Sequence, residues 1–221
     1  MPSVHLICFG DSLTSGSDWM HSLDDVGYGW TWEDHGVPAD KSWHGAVRFA
    51  DWLTGAQPEP GDVVVLMWGT NDVRKTWWTV DVTVDPLAEM AEAARAAGYP
   101  VVVVVPPPFA AGDKYTEQEA AAFNARLDEL DLATTDLGDA QISAFEHWLG
   151  LPGFPDLSFY LHTSGRADGV HPGNVASVSG QSGRYHLAES IADAVALPEA
   201  GTGGLLLGAL LIATIARWRR P

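Results

Sequence analysis

Val4-His5-Leu6-Ile7-Cys8-Phe9-Gly10-Asp11-Ser12-Leu13-Thr14-Ser15-Gly16 is the stretch whose reading decides the fold. The apolar run Val4 to Phe9 reads as a buried strand. A turn rich in Gly, Ser and Thr follows and leaves a serine hydroxyl at the strand's C-terminal end. Open α/β sheets take their ligands at that edge. Taken alone, the stretch is equally a bend that only reverses the chain, and the choice rests on what lies downstream.

Two further runs repeat the strand pattern. Val63 to Met67 ends in Gly69, and Val101 to Val105 is stopped by Pro106-Pro107-Pro108. Continuous apolar runs, without alternation, suit strands buried on both faces. Residues 31–37 read as a short second strand, and Asp131 to Leu137 as a short last one. Helical spacing covers Gly45 to Leu53, Asp85 to Ala97 with Gly98 as its C-cap, Ala140 to Leu149, and Ser182 to Val195. Thr116 and Glu119 form a capping box that opens a helix running to Leu130. Residues 150–180 read as loop. Buried strands alternating with helices predict a parallel sheet covered on both faces, a three-layer α/β/α sandwich. Catalytic candidates then belong on loops after strand ends.

The 221 residues suffice for one domain, expected over 1–196, and a tail over 197–221. A formal net charge of −17 repels phosphates and argues against a nucleic-acid partner. The single cysteine, Cys8, permits no intrachain disulfide and reads as a small core residue. The expectation is a monomer.

Three short stretches fall at the expected loops: Gly10-Asp11-Ser12-Leu13, Gly69-Thr70-Asn71-Asp72 and Asp168-Gly169-Val170-His171-Pro172. Together they hold the inventory for serine nucleophilic catalysis. Ser12 is a poor nucleophile until a base takes its proton, and His171 is the candidate base. Asp168 can accept the other imidazole N–H and hold one tautomer. The Ser12 backbone N–H and the Asn71 amide can donate to a tetrahedral oxyanion.

Over roughly residues 4–196 the chain resembles the GDSL or SGNH hydrolases. Gly10-Asp11-Ser12-Leu13 matches their nucleophile block, Gly69-Thr70-Asn71-Asp72 their Gly-x-Asn-Asp block, and Asp168-Gly169-Val170-His171 their Asp-x-x-His block. The resemblance implies a flavodoxin-like sandwich with Ser12, Asp168 and His171 as the catalytic triad. It also implies an oxyanion hole made by Ser12, Ala39 and Asn71, and ester hydrolysis without metal or organic cofactor. One block departs. In Gly36-Val37-Pro38-Ala39-Asp40-Lys41-Ser42, Ala39 stands where the family has a glycine. The N–H survives that change, but the added Cβ makes positive φ costly. Either the backbone at Ala39 has ordinary φ, or the hole is displaced.

The expected activity is therefore hydrolysis of a carboxylic ester, with a small-molecule or glycan ester as substrate and O-acetyl esters of a glycan in view. A lysophospholipase or thioesterase is the alternative within enzymes. A surface-anchored glycan-binding module that has lost activity is the alternative outside them. Arg74 can meet a substrate anion or be simply solvated, as can Lys75. Trp77 and Trp78 can stack on a sugar ring or pack into the body. Asp11 and Asp72 are expected to buttress the motif turns. His5, His21, His35, His44, His147 and His186 are scattered, with no ligand spacing that suggests a metal, and His162 lies near Asp168 without a motif or spacing to give it a role.

The tail carries Leu197-Pro198-Glu199-Ala200-Gly201, then an apolar stretch from Leu205 to Ala216, then Arg217-Trp218-Arg219-Arg220. It looks like a cell-wall sorting signal with Ala200 in place of the usual threonine, so a sortase or a membrane is its expected partner. The apolar part is short for a span. No secretory signal precedes Val4. The expected location is the cell surface if a signal lies upstream, and the cytoplasm otherwise.

Overall fold

The computed structural model describes residues 4–16, 19–112, 114–152, 156–160, 167–174 and 181–196. His162 and the tail with its sorting-like pentapeptide and apolar segment lie outside the described residues. Among the described residues no helix is long and apolar enough to cross a membrane.

Five strands form one parallel sheet: β1 (His5–Gly10), β2 (Thr31–Gly36), β3 (Asp62–Met67), β4 (Val101–Val105) and β5 (Ala140–Ser143). Their spatial order is β2-β1-β3-β4-β5. The winding therefore reverses between β1 and β3, and the C-terminal ends of those two strands flank a topological switch point, where open α/β sheets bind ligands. Helices α1 (Leu23–Val26), α2 (Ser42–Leu53), α3 (Asp81–Ala96), α4 (Glu117–Thr134), α5 (Ala144–Leu149) and α6 (Gly183–Val195) cover the sheet.

Alternate strand residues feed two cores. Ile7 and Phe9 of β1, with Val64 and Leu66 of β3, pack against Phe49 of α2 and Leu87, Met90 and Ala94 of α3. On the other face, Leu6, Cys8, Val65 and Met67 pack with Leu23 of α1, Leu130 of α4, Trp148 of α5 and Leu187 and Ile191 of α6. All five valines of β4 are buried. Their branched side chains suit the pleat, and each buried valine contributes about 1.5 kcal/mol or more. The edge strand β2 is polar and largely exposed, with Glu33 and Asp34 in it, which blunts the edge against further pairing.

The sandwich expected from the sequence is the fold observed, with boundary differences that have local causes. Residues expected as the last strand, 131–137, begin inside α4 instead. Leu127, Leu130, Asp131 and Thr134 recur at helical spacing on its buried side, and Thr134 Oγ1 donates back to the Leu130 carbonyl at 2.9 Å. The strand follows at Ala140–Ser143, which shortens the expected helix to α5. Helix α3 starts a turn earlier than expected and contains Pro86. Proline has no N–H for the carbonyl four residues back. That carbonyl, on Val82, lies 3.2 Å from Ser42 Oγ instead.

Candidate active site

Ser12 sits in a tight turn directly after β1. The Asp11 carbonyl accepts the N–H groups of Thr14 (3.2 Å) and Ser15 (3.0 Å), and Asp11 Oδ1 accepts that of Leu13 at 2.9 Å. The turn folds back so closely that a Cβ on Gly10 would lie 2.0 Å from Thr14 Oγ1 and 2.6 Å from the Met67 carbonyl. Only glycine fits there.

His171 arrives on the loop before α6. Gly169 has φ +73°, and a Cβ on it would lie 2.2 Å from the Ala110 carbonyl. Its own carbonyl accepts the Ala110 N–H at 2.9 Å, pinning the loop to the segment after β4. The Gly173 N–H donates to Phe159 O at 2.9 Å, and the Arg184 N–H to Gly173 O at 3.1 Å. Between these anchors His171 Nε2 reaches Ser12 Oγ at 2.9 Å, and His171 Nδ1 reaches Asp168 Oδ2 at 2.6 Å. Asp168 Oδ1 accepts the backbone N–H groups of Val170 (2.9 Å) and His171 (2.8 Å). Partial burial pushes the Asp168 carboxyl up, but these hydrogen bonds from His171 and Val170 outweigh it and hold the group well below the ordinary carboxylate range. An ionised Asp168 fixes the imidazole proton on Nδ1. Nε2 then presents its lone pair to the serine hydroxyl. Lys114 Nζ lies 3.7 Å from the same carboxylate oxygen.

Asn71 follows β3 in a turn closed by Val73 N–H to Gly69 O at 2.9 Å. Its amide nitrogen donates to Asp11 Oδ2 and to the Asp40 carbonyl, each at 3.0 Å. Arg74 donates to Asn71 Oδ1 at 3.2 Å, which fixes which end of the carboxamide faces Asp11. The guanidinium also lies 5.3 Å over the Tyr115 ring. Arg74 is thus held on Asn71, a partnership that its place one turn later in the sequence hints at but does not reveal. Asp11 is fully buried, and burial, with Asp72 and Asp40 nearby, pushes its carboxyl up to about 7 against the pull of the Leu13 N–H and His171. Asp72, also buried and raised by burial, takes the Ser42 hydroxyl at 2.5 Å and the Ser42 N–H at 3.1 Å. Both aspartates brace the motif turns, as expected from the sequence.

Ala39 has φ +63°. The Asp40 N–H donates to Val37 O at 3.1 Å, so Val37-Pro38-Ala39-Asp40 is a β-turn with proline second and a left-handed residue third, the type II pattern. Ordinary φ at Ala39 is thereby ruled out, and the alanine bears a cost of about 1–2 kcal/mol. Neither its N–H nor that of Ser12 has an acceptor among the described residues.

The two tryptophans part company. Trp77 is 59% exposed and packs its ring 5.5 Å from that of Trp43. Trp78 is buried, donates to Thr83 Oγ1 at 3.0 Å and lies under the Arg126 guanidinium. Of the two, Trp77 alone presents its ring to solvent. A cavity of about 20 Å³ beside Ser12 and His171 is lined by these two residues with Leu13, Trp19, Pro172 and Arg184. A larger apolar groove of about 450 Å³ between α2 and α3 contains none of these residues.

Known proteins share this fold. Residues 8–175 match the GDSL-like Lipase/Acylhydrolase family. Similar solved structures include a member of the lipolytic G-D-S-L family from Veillonella parvula, 16% identical, with a TM-score of 0.61 over 86% of this chain and 95% of that one. An acetyl xylan esterase variant from Geobacillus stearothermophilus is 14% identical, with a TM-score of 0.63 over 87% and 94%. A GDSL-like lipase from Bacteroides thetaiotaomicron is 22% identical, with a TM-score of 0.56 over 86% and 87%. No curated protein sequence matches the chain. With three motif blocks carried on one sheet edge and the family match spanning most of its length, the chain belongs to the GDSL-like lipase/acylhydrolase family of ester hydrolases.

Proposed function

We propose that the chain is a serine esterase in which Ser12 is the nucleophile, His171 the general base and acid, and Asp168 the group that orients His171. The observation that carries this reading is the unbroken line from Ser12 Oγ to His171 Nε2 (2.9 Å) and from Nδ1 to Asp168 (2.6 Å). Ser12 Oγ attacks the acyl carbon as its proton passes to Nε2. The same proton then leaves with the alkoxide, giving an acyl-serine. Water, deprotonated by His171, releases the acid and restores the hydroxyl.

The developing oxyanion is met by the Ser12 and Ala39 N–H groups and by Asn71. The two backbone donors have no bond to give up. Asn71 must share or exchange one of its bonds to Asp11 and Asp40.

The substrate we infer is a short-chain ester of a sugar, an acetyl ester first. The cavity beside Ser12 is small, with no ready-made tunnel for a long acyl chain among the described residues that line it. The exposed Trp77–Trp43 pair, near Asn71 and Ala39 in sequence, offers a ring face for a sugar. The likeness to an acetyl xylan esterase is in keeping with this choice.

A fluorophosphonate probe together with p-nitrophenyl acetate, p-nitrophenyl decanoate and acetylated xylo-oligosaccharides tests it. The chain should be labelled, Ser12→Ala should not, and acetate should be released faster than decanoate. Labelling that survives in Ser12→Ala sinks the nucleophile assignment. Faster release of decanoate points to a lipid acyl hydrolase. No turnover of any ester returns the chain to a binding module.

A further inference from the structure

Helices α5 and α6 bring together three ligand-type side chains that the Ser12 chemistry does not use. His147 lies on α5, and His186 and Glu189 lie one turn apart on α6. Their ligand atoms all fall within 4.8 Å of one another. Glu189 Oε2 is 3.8 Å from His147 Nε2 and 3.6 Å from His186 Nδ1. The His147 and His186 rings are 6.2 Å apart, and the buried Phe159 ring lies 5.8 Å from His186 as an apolar back wall. His147 Nε2 is buried without a hydrogen-bond partner among the described residues.

Two imidazoles and one carboxylate thus converge between the two helices.

We propose that His147 Nε2, His186 Nδ1 and Glu189 Oε2 form a binding site for one divalent transition-metal ion of the zinc type. Two imidazole nitrogens and one carboxylate oxygen are a donor set zinc accepts, with water in the fourth position. Bonds of about 2.0–2.1 Å place tetrahedral ligand atoms about 3.3 Å apart, so the three groups must close in by about 1.5 Å or less. Side-chain rotation supplies this, because His147 is 32% and Glu189 33% exposed. The tautomers follow: His147 carries its proton on Nδ1 and His186 on Nε2.

The ion clamps α5 to α6. The first turn of α6 holds the base loop, through Arg184 N–H to Gly173 O (3.1 Å) and Arg184 Nε to Pro172 O (3.3 Å). The site therefore braces the segment that carries His171 and takes no part in acyl transfer.

The test is a titration of the chelator-treated full chain with Zn²⁺ by calorimetry and with Co²⁺ by visible absorption, alongside thermal unfolding. One equivalent should bind at micromolar concentration or tighter. The Co²⁺ complex should absorb with tetrahedral intensity, and Tm should rise by several degrees with Zn²⁺. His147→Ala and Glu189→Gln should each weaken binding by about tenfold or more. His171→Ala should bind as the parent does, which separates this site from the His171–Asp168 pair. No saturable binding below millimolar zinc overturns the proposal. So does binding indifferent to both substitutions, or binding lost in His171→Ala alone. Should His147→Ala fail to fold, the near-isosteric Glu189→Gln decides.

Discussion

Asp168 and Asp11 both serve the Ser12 turn, yet the fold drives their carboxyls in opposite directions. Asp168 is about a third exposed, on a loop, and takes hydrogen bonds from the His171 ring and two backbone N–H groups. Those donors outweigh its burial and keep it ionised. Asp11 is fully buried at the strand end, with one backbone N–H, the Asn71 amide, and two other carboxylates nearby. Burial wins there, and the carboxyl rises to about 7. The lesson is that donor count and solvent access, not residue type, set the state of an aspartate. One half of the site is tuned to hold charge. The other half is tuned as a hydrogen-bonded brace that avoids it.

The sharpest way to break this contrast is Asp168→Asn. It removes the charge that fixes the imidazole tautomer, and kcat for ester hydrolysis should fall about 10⁴-fold. A loss under tenfold would mean that His171 needs no orienting partner. The pH dependence of stability comes next, because the two carboxyls contribute with opposite sign. Asp168, lowered on folding, stabilises the native state at neutral pH, and that contribution is lost as pH falls through and below the ordinary carboxylate range. Asp11, raised on folding, keeps its proton in the native state after the unfolded chain has lost it. Its effect is a loss of stability that accumulates between about pH 4 and about pH 7 and then levels off. Urea unfolding of the parent and Asp11→Asn at pH 4, 5.5, 7 and 8 isolates this. The parent should lose a few kcal/mol relative to the variant across that window, at about 1.4 kcal/mol per pKa unit. A gap independent of pH would show that Asp11 ionises normally.

Asn71→Ala should cost about 10²–10³ in kcat, as for other side-chain oxyanion donors. A loss of stability with kcat kept within about threefold would mean that Asn71 only braces Asp11 and the Asp40 carbonyl. The smallest effect belongs to Ala39→Gly. Relief of the left-handed φ should raise stability by about 1 kcal/mol, with little change in kcat, because the N–H donor is kept. A destabilised variant would show that the alanine methyl makes contacts worth more than the strain.

Much of this site was legible in the chain. Apolar runs mark strands wherever both faces are covered, which is why β1, β3 and β4 stand out. The Ser12, Asn71 and Asp168–His171 blocks each declare themselves by residue type and by their place after a strand or before a helix. The Thr116–Glu119 capping box is local chemistry and forms as read. The stretch 131–137 misled because its few apolar residues fit a short strand as well as a helix end. Only packing of Leu130 and Thr134 against the body chose between them.

By itself, then, the sequence determined the layer architecture and pointed to Ser12, Asn71, Asp168 and His171 as the candidate site, because each depends on periodicity or on a motif a few residues long. Tertiary structure alone decided the rest. Ala39 takes positive φ because the type II turn after β2 demands it. Asn71 is claimed by Asp11 and Asp40 because the ends of β1 and β3 lie side by side. His147 meets His186 and Glu189 because α5 and α6 pack on one face of the sheet. Such meetings are set by distance through space, which the order of residues along a chain does not record.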